Sequence, residues 1–276
     1  MRLKKNPKIL RKSRRMSDEN QMLTFGGHLE VLRRMLFRVL IVTAVFACAI
    51  FCFKTTTFDL LLAPSKSDFC LYNWIERFLA KMGHDFHFAP FEVDLIATDL
   101  SSQFMTHIST SLYLGLLCAS PYILFELFRF ISPALYENER KYSIPVLIII
   151  YSLFIMGVLM SYYILFPISF RFLGTYSVAE EVHSTITLDS YISTFVTLTL
   201  VMGVVFQLPV IAFFLAKLGI IESETMANYR QYAFLIIMIV AAIITPPDLM
   251  TLVLVTIPLY LLYEVSIIVA RSVRNG

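Results

Sequence analysis

The chain has 276 residues, of which 58% are hydrophobic and 16% charged, with a formal net charge of +3 and a mean hydropathy of +0.72. A chain this apolar cannot hide its surface inside a soluble globule of that size, so it is read as a membrane protein. The net charge is too small to indicate nucleic-acid binding, and the informative quantity is where the basic residues lie.

The chain opens with a basic stretch, Met1 to Arg15, followed by a second plausible start at Met16-Ser-Asp-Glu. The stretch is either a polybasic tail that touches anionic lipid or an over-long start. The first apolar run, Met35 to Phe53, contains Ala47-Cys-Ala49 with the form of a signal-peptidase site, but inside the run itself, so cleavage is rejected. About 54–103 forms the first outer loop, the one sizeable segment outside the bilayer. Within it Leu71, Trp74, Ile75, Phe78, Leu79 and Met82 recur at helical spacing, with Glu76, Arg77 and Lys81 on the other side. This predicts an amphipathic helix lying along the membrane surface or capping the bundle.

Three further apolar runs are long enough to cross a bilayer: Ile108 to Phe128, Ile144 to Phe170 and Tyr191 to Ala216. Between the first two lies Ser132-Pro-Ala-Leu-Tyr-Glu-Asn-Glu-Arg-Lys141, which puts Glu137 and Glu139 beside Arg140 at a membrane boundary. Gln207 is the one clearly polar residue at depth. The last apolar run, from about Ala233 to Ala270, is too long for one crossing and just long enough for two, given a sharp turn. Thr245-Pro-Pro-Asp248 supplies it. Pro246 and Pro247 stop one helix and permit the next, and Asp248 can accept amide hydrogens at the new N-terminus. The fifth helix, about Tyr232 to Thr245, is then too short for an ordinary bilayer, a mismatch relieved by thinning lipid or tucking against neighbours.

The expected fold class is an all-α membrane protein with six transmembrane helices, forming a cup-like bundle with short fifth and sixth helices. Its parts are a basic N-terminal segment (1–34), a six-helix domain (35–270) and a tail (271–276). With both termini inside, 18 of the 23 Lys and Arg residues fall on the inner side, and the positive-inside rule assigns that orientation. Cys48, Cys52, Cys70 and Cys118 and the scattered histidines form no disulfide or metal framework. No HExxH, Walker loop, GxSxG or Rossmann fingerprint is present, so no metal or cofactor is expected and enzymology has no foothold. A small-solute secondary transporter is the rival class, but it calls for internal repeats and ionisable residues near mid-membrane.

Four blocks together resemble the TatC family of the twin-arginine protein translocase: HLEVLRRML (28–36), SPYILFELFRFISPALYENERK (120–141), GVVFQLPV (203–210) and RQYAFLIIMIVAAIITPPD (230–248). Leu262-Tyr-Glu264 fits as well. The resemblance implies a non-enzymatic receptor in the bacterial cytoplasmic membrane. Such a receptor binds the paired arginines of a signal peptide on folded cargo and recruits TatA- and TatB-type partners. It works as a homo-oligomer within a larger complex driven by the proton-motive force. It implies a signal-peptide site built from Glu139 first, with Arg140 shaping the loop, and with His28, Glu30 and Arg33 from the first block. The family's acidic position in that block is Val31 here, with Glu30 one residue early, a rotation of about 100° on a helix. Glu30 can substitute if the segment is unwound or turned, or Glu137 supplies the second charge. Gln207 stands where many relatives carry Glu, and either holds a partner's polar residue or ties neighbouring helices. Pro64, Phe130, Pro246, Pro247 and Asp248 also match family positions.

Overall fold

The structure is a computed structural model that describes residues 7–82, 91, 94–131, 143–177, 179 and 185–275, with side chains from residue 29 up to 273 except at 131 and 143. It is almost wholly helical. Helix α1 (Pro7–Cys52) is continuous for 46 residues, so the basic segment and the first span form one rod about 69 Å long. Helix α2 (Lys54–Leu62), a 3₁₀ turn at Ala63–Ser65 and α3 (Cys70–Lys81) follow on one rim of the bundle. Helix α4 (Ser102–Ile131) is the second span.

The third span bends. Helix α5 (Ser143–Met160) passes through a π-helical turn at Ser161–Leu165 into α6 (Phe166–Thr175). Pro167 cannot donate the amide hydrogen that a regular helix would direct at Tyr163, and the widened turn accommodates the loss. The fourth apolar run is also broken, into α7 (Leu188–Val205) and α8 (Leu208–Lys217). The cause is again local, because Pro209 lacks the N–H that would reach Val205. Instead the Gln207 amide closes back on the Val204 carbonyl at 3.0 Å. After a short α9 (Ser223–Asn228), α10 (Arg230–Ile244) and α11 (Leu249–Asn275) complete the chain.

Among the described residues five helical segments are long and apolar enough to cross a membrane, and Arg230–Ile244 is a shorter apolar helix beside them. The expected short fifth helix is found at 15 residues, about 22 Å. The sixth is not short, which corrects the sequence reading. Helix α11 runs 27 residues, about 40 Å, because Asp248 caps its start and nothing stops it until the tail. Pro258 inside α11 does not end it, its missing amide bond being tolerated within an apolar helix.

The buried core is built from α2, α3, the π-helical turn, α6, α7, α10 and α11, with Leu61, Tyr72, Leu165, Phe166, Tyr191, Leu198, Met202 and Leu259 almost fully enclosed. Tyrosine hydroxyls fasten the connection after α1 onto this core. Tyr191 donates to the Leu61 carbonyl at 2.7 Å, Tyr162 to Leu60 at 2.8 Å, and Tyr72 to Pro167 at 2.9 Å. A two-residue parallel pairing, Leu95 with Ile186 and Ile96 with Thr187, ties that connection to the one before α7. The described side chains of α1, from Leu29 to Cys52, are by contrast mostly exposed, and Thr43 is the one buried among them. The helix is held by α4, which runs antiparallel to it.

Candidate functional site

The rim bearing the start of the first span collects charge. Arg38 on α1 donates from Nη1 to Glu126 Oε1 on α4 at 3.1 Å, and Tyr122 donates to the same oxygen at 2.9 Å. The Glu126 side chain is only 7% exposed while Arg38 is half-exposed. A carboxylate that is nearly enclosed among apolar helices persists only with such partners, since an isolated charge would carry a large desolvation cost. Both donors come from fixed points of helices: Tyr122 lies one turn before Glu126 on α4, and Arg38 reaches across from α1.

Two turns earlier on α1, about 12 Å along its axis, Glu30 pairs with Arg34 on the exposed helix surface. Arg33 lies over the Phe37 ring at 5.7 Å. Glu30, Arg33, Arg34, Phe37 and Arg38 border an open groove of about 440 Å³. The stretch from Leu29 onward is unbroken helix, so Glu30 and Val31 point about 100° apart and no local unwinding moves Glu30 into the neighbouring position. Val31 is exposed. Of the other residues singled out in the sequence, Glu137, Glu139 and Arg140 lie outside the described residues, as does the side chain of His28. Phe130, half-buried in the last turn of α4, leads directly toward that segment.

Glu126 is a buried carboxylate that sequence reading passed over, although its signal was present: a carboxylate inside an otherwise apolar span is a functional candidate by default. Its ion pair with Arg38 is invisible in the sequence because the two residues are 88 positions apart.

From this rim an apolar groove of about 350 Å³ runs inward between α4, α5, α7 and α8, past Phe128 and Phe214 toward Leu116. Gln207 forms part of its wall and donates from Nε2 to the Ile150 carbonyl at 3.0 Å. Of the two readings left open for Gln207, the hydrogen bond supports the tie between helices: the amide bridges the α7–α8 break to α5.

Arg230 at the start of α10 forks onto Glu264 of α11, Nε to Oε1 at 2.7 Å and Nη2 to Oε2 at 3.0 Å, and Tyr260 donates to Oε1 at 3.1 Å. This bidentate pair anchors the short helix at its charged end. At its other end the turn behaves as its residues require. Thr245 is extended, as the residue before a proline prefers, and Asp248 Oδ1 accepts the Thr251 amide hydrogen at 2.6 Å. Asp248 therefore has the capping role its place after two prolines implies. Pro64 is buried within the 3₁₀ turn at Ala63–Ser65. Pro64 and the Pro246–Asp248 turn lie across the bundle from Arg38 and Glu126, so the structure does not bring them together with the charged rim. Among the described residues no group of His, Cys, Asp and Glu could hold a metal ion.

Comparison with known proteins gives a consistent answer. A family model described as "Sec-independent protein translocase protein (TatC)" matches residues 27–258. The chain is 32% identical to a Sec-independent protein translocase protein TatC of Blattabacterium sp. subsp. Periplaneta americana, over 94% of this chain and 99% of that one. It is 34% identical to the TatC protein of Desulforapulum autotrophicum over 93% and 87% of the two chains. A crystal structure described as the twin arginine translocase receptor TatC superposes with a TM-score of 0.71 at 32% identity, covering 90% of this chain and 99% of the other.

Proposed function

Because the chain belongs to the TatC family, a non-enzymatic component of the Sec-independent, twin-arginine protein translocase, we propose that its charged rim is the receptor surface for the paired arginines of a cargo signal peptide. The observation that supports this reading most is Glu126, a buried carboxylate held by Arg38 and Tyr122 on the helix that leads into the segment containing Glu137 and Glu139. Guanidinium groups bind carboxylates through charge-assisted, often bidentate bonds, and lysine lacks the fork. A receptor for two arginines therefore needs more than one anion. Glu139 is the primary contact, with Glu30 or Glu137 as the second, and His28, Arg33 and Arg140 shaping the surface around them. Glu126 sets the position of α1, and hence of Glu30, relative to the end of α4.

In this reading both termini and the charged rim face the cytoplasm, the protein sits in the bacterial inner membrane, and the short α10 makes a cupped, locally thinned bundle. The six-helix domain (35–270) carries the function between the basic segment (1–34) and the tail (271–276). TatA- and TatB-type partners assemble on it, the chain works as one of several copies in a larger complex, and Gln207, Pro64, Phe130, Pro246, Pro247 and Asp248 support those contacts or the fold behind them.

Crosslinking of a twin-arginine signal peptide to the full chain in inverted membrane vesicles tests the site. Glu139→Ala is expected to abolish the crosslink without loss of insertion, and a Lys-Lys signal is expected to crosslink poorly to the unaltered chain. Comparing Glu30→Ala with Glu137→Ala identifies the second anion. Equal crosslinking by the Glu139 variant and the unaltered chain would rule the site out.

A further inference from the structure

Helix α3 has an apolar sector that the described residues leave exposed. Around its axis Leu71, Tyr72, Ile75 and Leu79 turn toward the bundle, Leu71 and Tyr72 being buried and Ile75 and Leu79 half-buried. Trp74 and Phe78, one turn apart, stack on each other at 5.8 Å and stay 64% and 52% exposed. Arg77 and Lys81, also one turn apart, flank them, and these four residues with Ala80 border one shallow groove of about 550 Å³. The helix is thus divided lengthwise into a face on the protein, an exposed aromatic face and an adjoining basic edge.

Its depth follows from what it packs against. About 30 Å of hydrocarbon is crossed in about 20 helical residues, and counting from Ile144 along α5 reaches the region of Tyr163. Phe69, at the start of α3, stacks on Tyr163 at 6.0 Å and meets Tyr162 edge-on at 5.8 Å. The Tyr72 hydroxyl bonds to Pro167 just beyond. A second count, from Met35 along α1, reaches Lys54, where α2 begins, and the end of α2 bonds to Tyr162. Both counts put α3 at the boundary between acyl chains and headgroups. Tryptophan, with an apolar ring and a polar N–H, favours that layer, and basic side chains beside it meet lipid phosphates.

We infer that α3 is an interfacial membrane anchor, its Trp74–Phe78 face seated among the lipid glycerol and upper acyl groups and Arg77 and Lys81 on lipid phosphates. This goes beyond the receptor reading and rests only on the membrane-spanning fold. It gives the long connection a mechanical role, because Tyr72 transmits the anchor's position to α6, and Tyr162 and Tyr191 fasten the adjoining α2 to the π-helical turn and α7.

The experiment is simplified by the sequence, since Trp74 is the lone tryptophan of the chain. The full-length protein is reconstituted into phosphatidylcholine–phosphatidylglycerol vesicles, and its emission is quenched with lipids brominated near the glycerol end or near the methyl end of the acyl chain. The expected result is a blue-shifted emission, weak quenching by aqueous acrylamide, and stronger quenching by the shallow bromines, as for a ring about 5–10 Å below the headgroup boundary. In the Arg77→Ser/Lys81→Ser variant, whose fold is checked by circular dichroism, emission should shift to longer wavelength and shallow quenching should fall. Acrylamide-accessible emission without lipid quenching would overturn the anchor. So would blue-shifted emission that no brominated lipid quenches, which would mean that protein, either a partner or a second copy of this chain, covers Trp74. Identical behaviour of the double variant and the parent would remove the phosphate contact.

Discussion

Arg38 and Glu126, 88 residues apart, form a 3.1 Å ion pair that fixes the charged end of α1 against α4. The two helices meet at two further levels. Gly115 lies against the backbone of Ala47 midway, and Phe51 stacks on His107 at 4.2 Å, nearly parallel, at the far end. Thr43 is the one buried side chain among those described in the first span, so packing against α4 decides where the span stands.

Replacing Glu126 by Gln keeps the volume and a hydrogen-bond acceptor but leaves Arg38 without a counter-charge. The loss is expected to be about 1.5–3 kcal/mol, the range for hydrogen bonds to charged groups. Thermal unfolding of the purified protein in detergent measures it. Arg38→Gln should cost a similar amount, and the double variant less than the sum of the two, the signature of a direct pair. Additive losses would mean the pair is not energetically coupled.

Gly115→Ala places a Cβ 2.7 Å from the Ala47 nitrogen and 2.8 Å from its Cα, against backbone that cannot rotate away. The helices must separate. A loss of about 1–3 kcal/mol is expected, as for other overpacked contacts, together with weaker disulfide formation between cysteines introduced at positions 43 and 119. Unchanged crosslinking would show that α1 shifts without cost.

Arg230→Lys preserves charge and removes the fork that holds both Glu264 oxygens. Amide hydrogen exchange is expected to speed up in the first turns of α10 while α11 stays protected, because the short helix has little else at that end. Glu264→Gln should produce the same local pattern.

Burial of Tyr72, opposed by the nearby Arg171 guanidinium, pushes its phenol up to about 12 from an ordinary 10. A folded pKa above the unfolded one means this group's contribution is intact below pH 10 and is lost as pH rises from about 10 through about 12. The connection containing α3 should therefore loosen in alkali, read as protease cleavage between residues 66 and 82. Tyr72→Phe should cleave faster at neutral pH, having lost the bond to Pro167, but without a rise assignable to phenol ionisation. Equal alkaline steepening in both proteins would place the titration elsewhere.

Much of this architecture could be read directly from the residues. Runs of apolar side chains long enough to cross lipid defined the spans, and two prolines with a following aspartate defined the final turn. These are local rules, acting over one to five helical turns, and the short α10 and the Asp248 cap follow them. The breaks at Tyr163 and Val205 obey the same local chemistry of Pro167 and Pro209 but were hidden inside runs whose hydropathy never falls. The length of α11 was misjudged because a tail with two arginines can end a span without ending a helix.

The sequence by itself determined that the chain lives in a membrane, where it crosses and which end of each helix carries charge, because hydropathy and proline act through neighbours in the chain. Only the tertiary structure decided that Glu126 meets Arg38, that Gln207 is spent on Ile150, and that α3 divides its apolar residues between protein and surface. Those outcomes depend on which helix faces lie opposite one another across tens of residues. Packing of whole helices fixes that, and no short-range pattern encodes it.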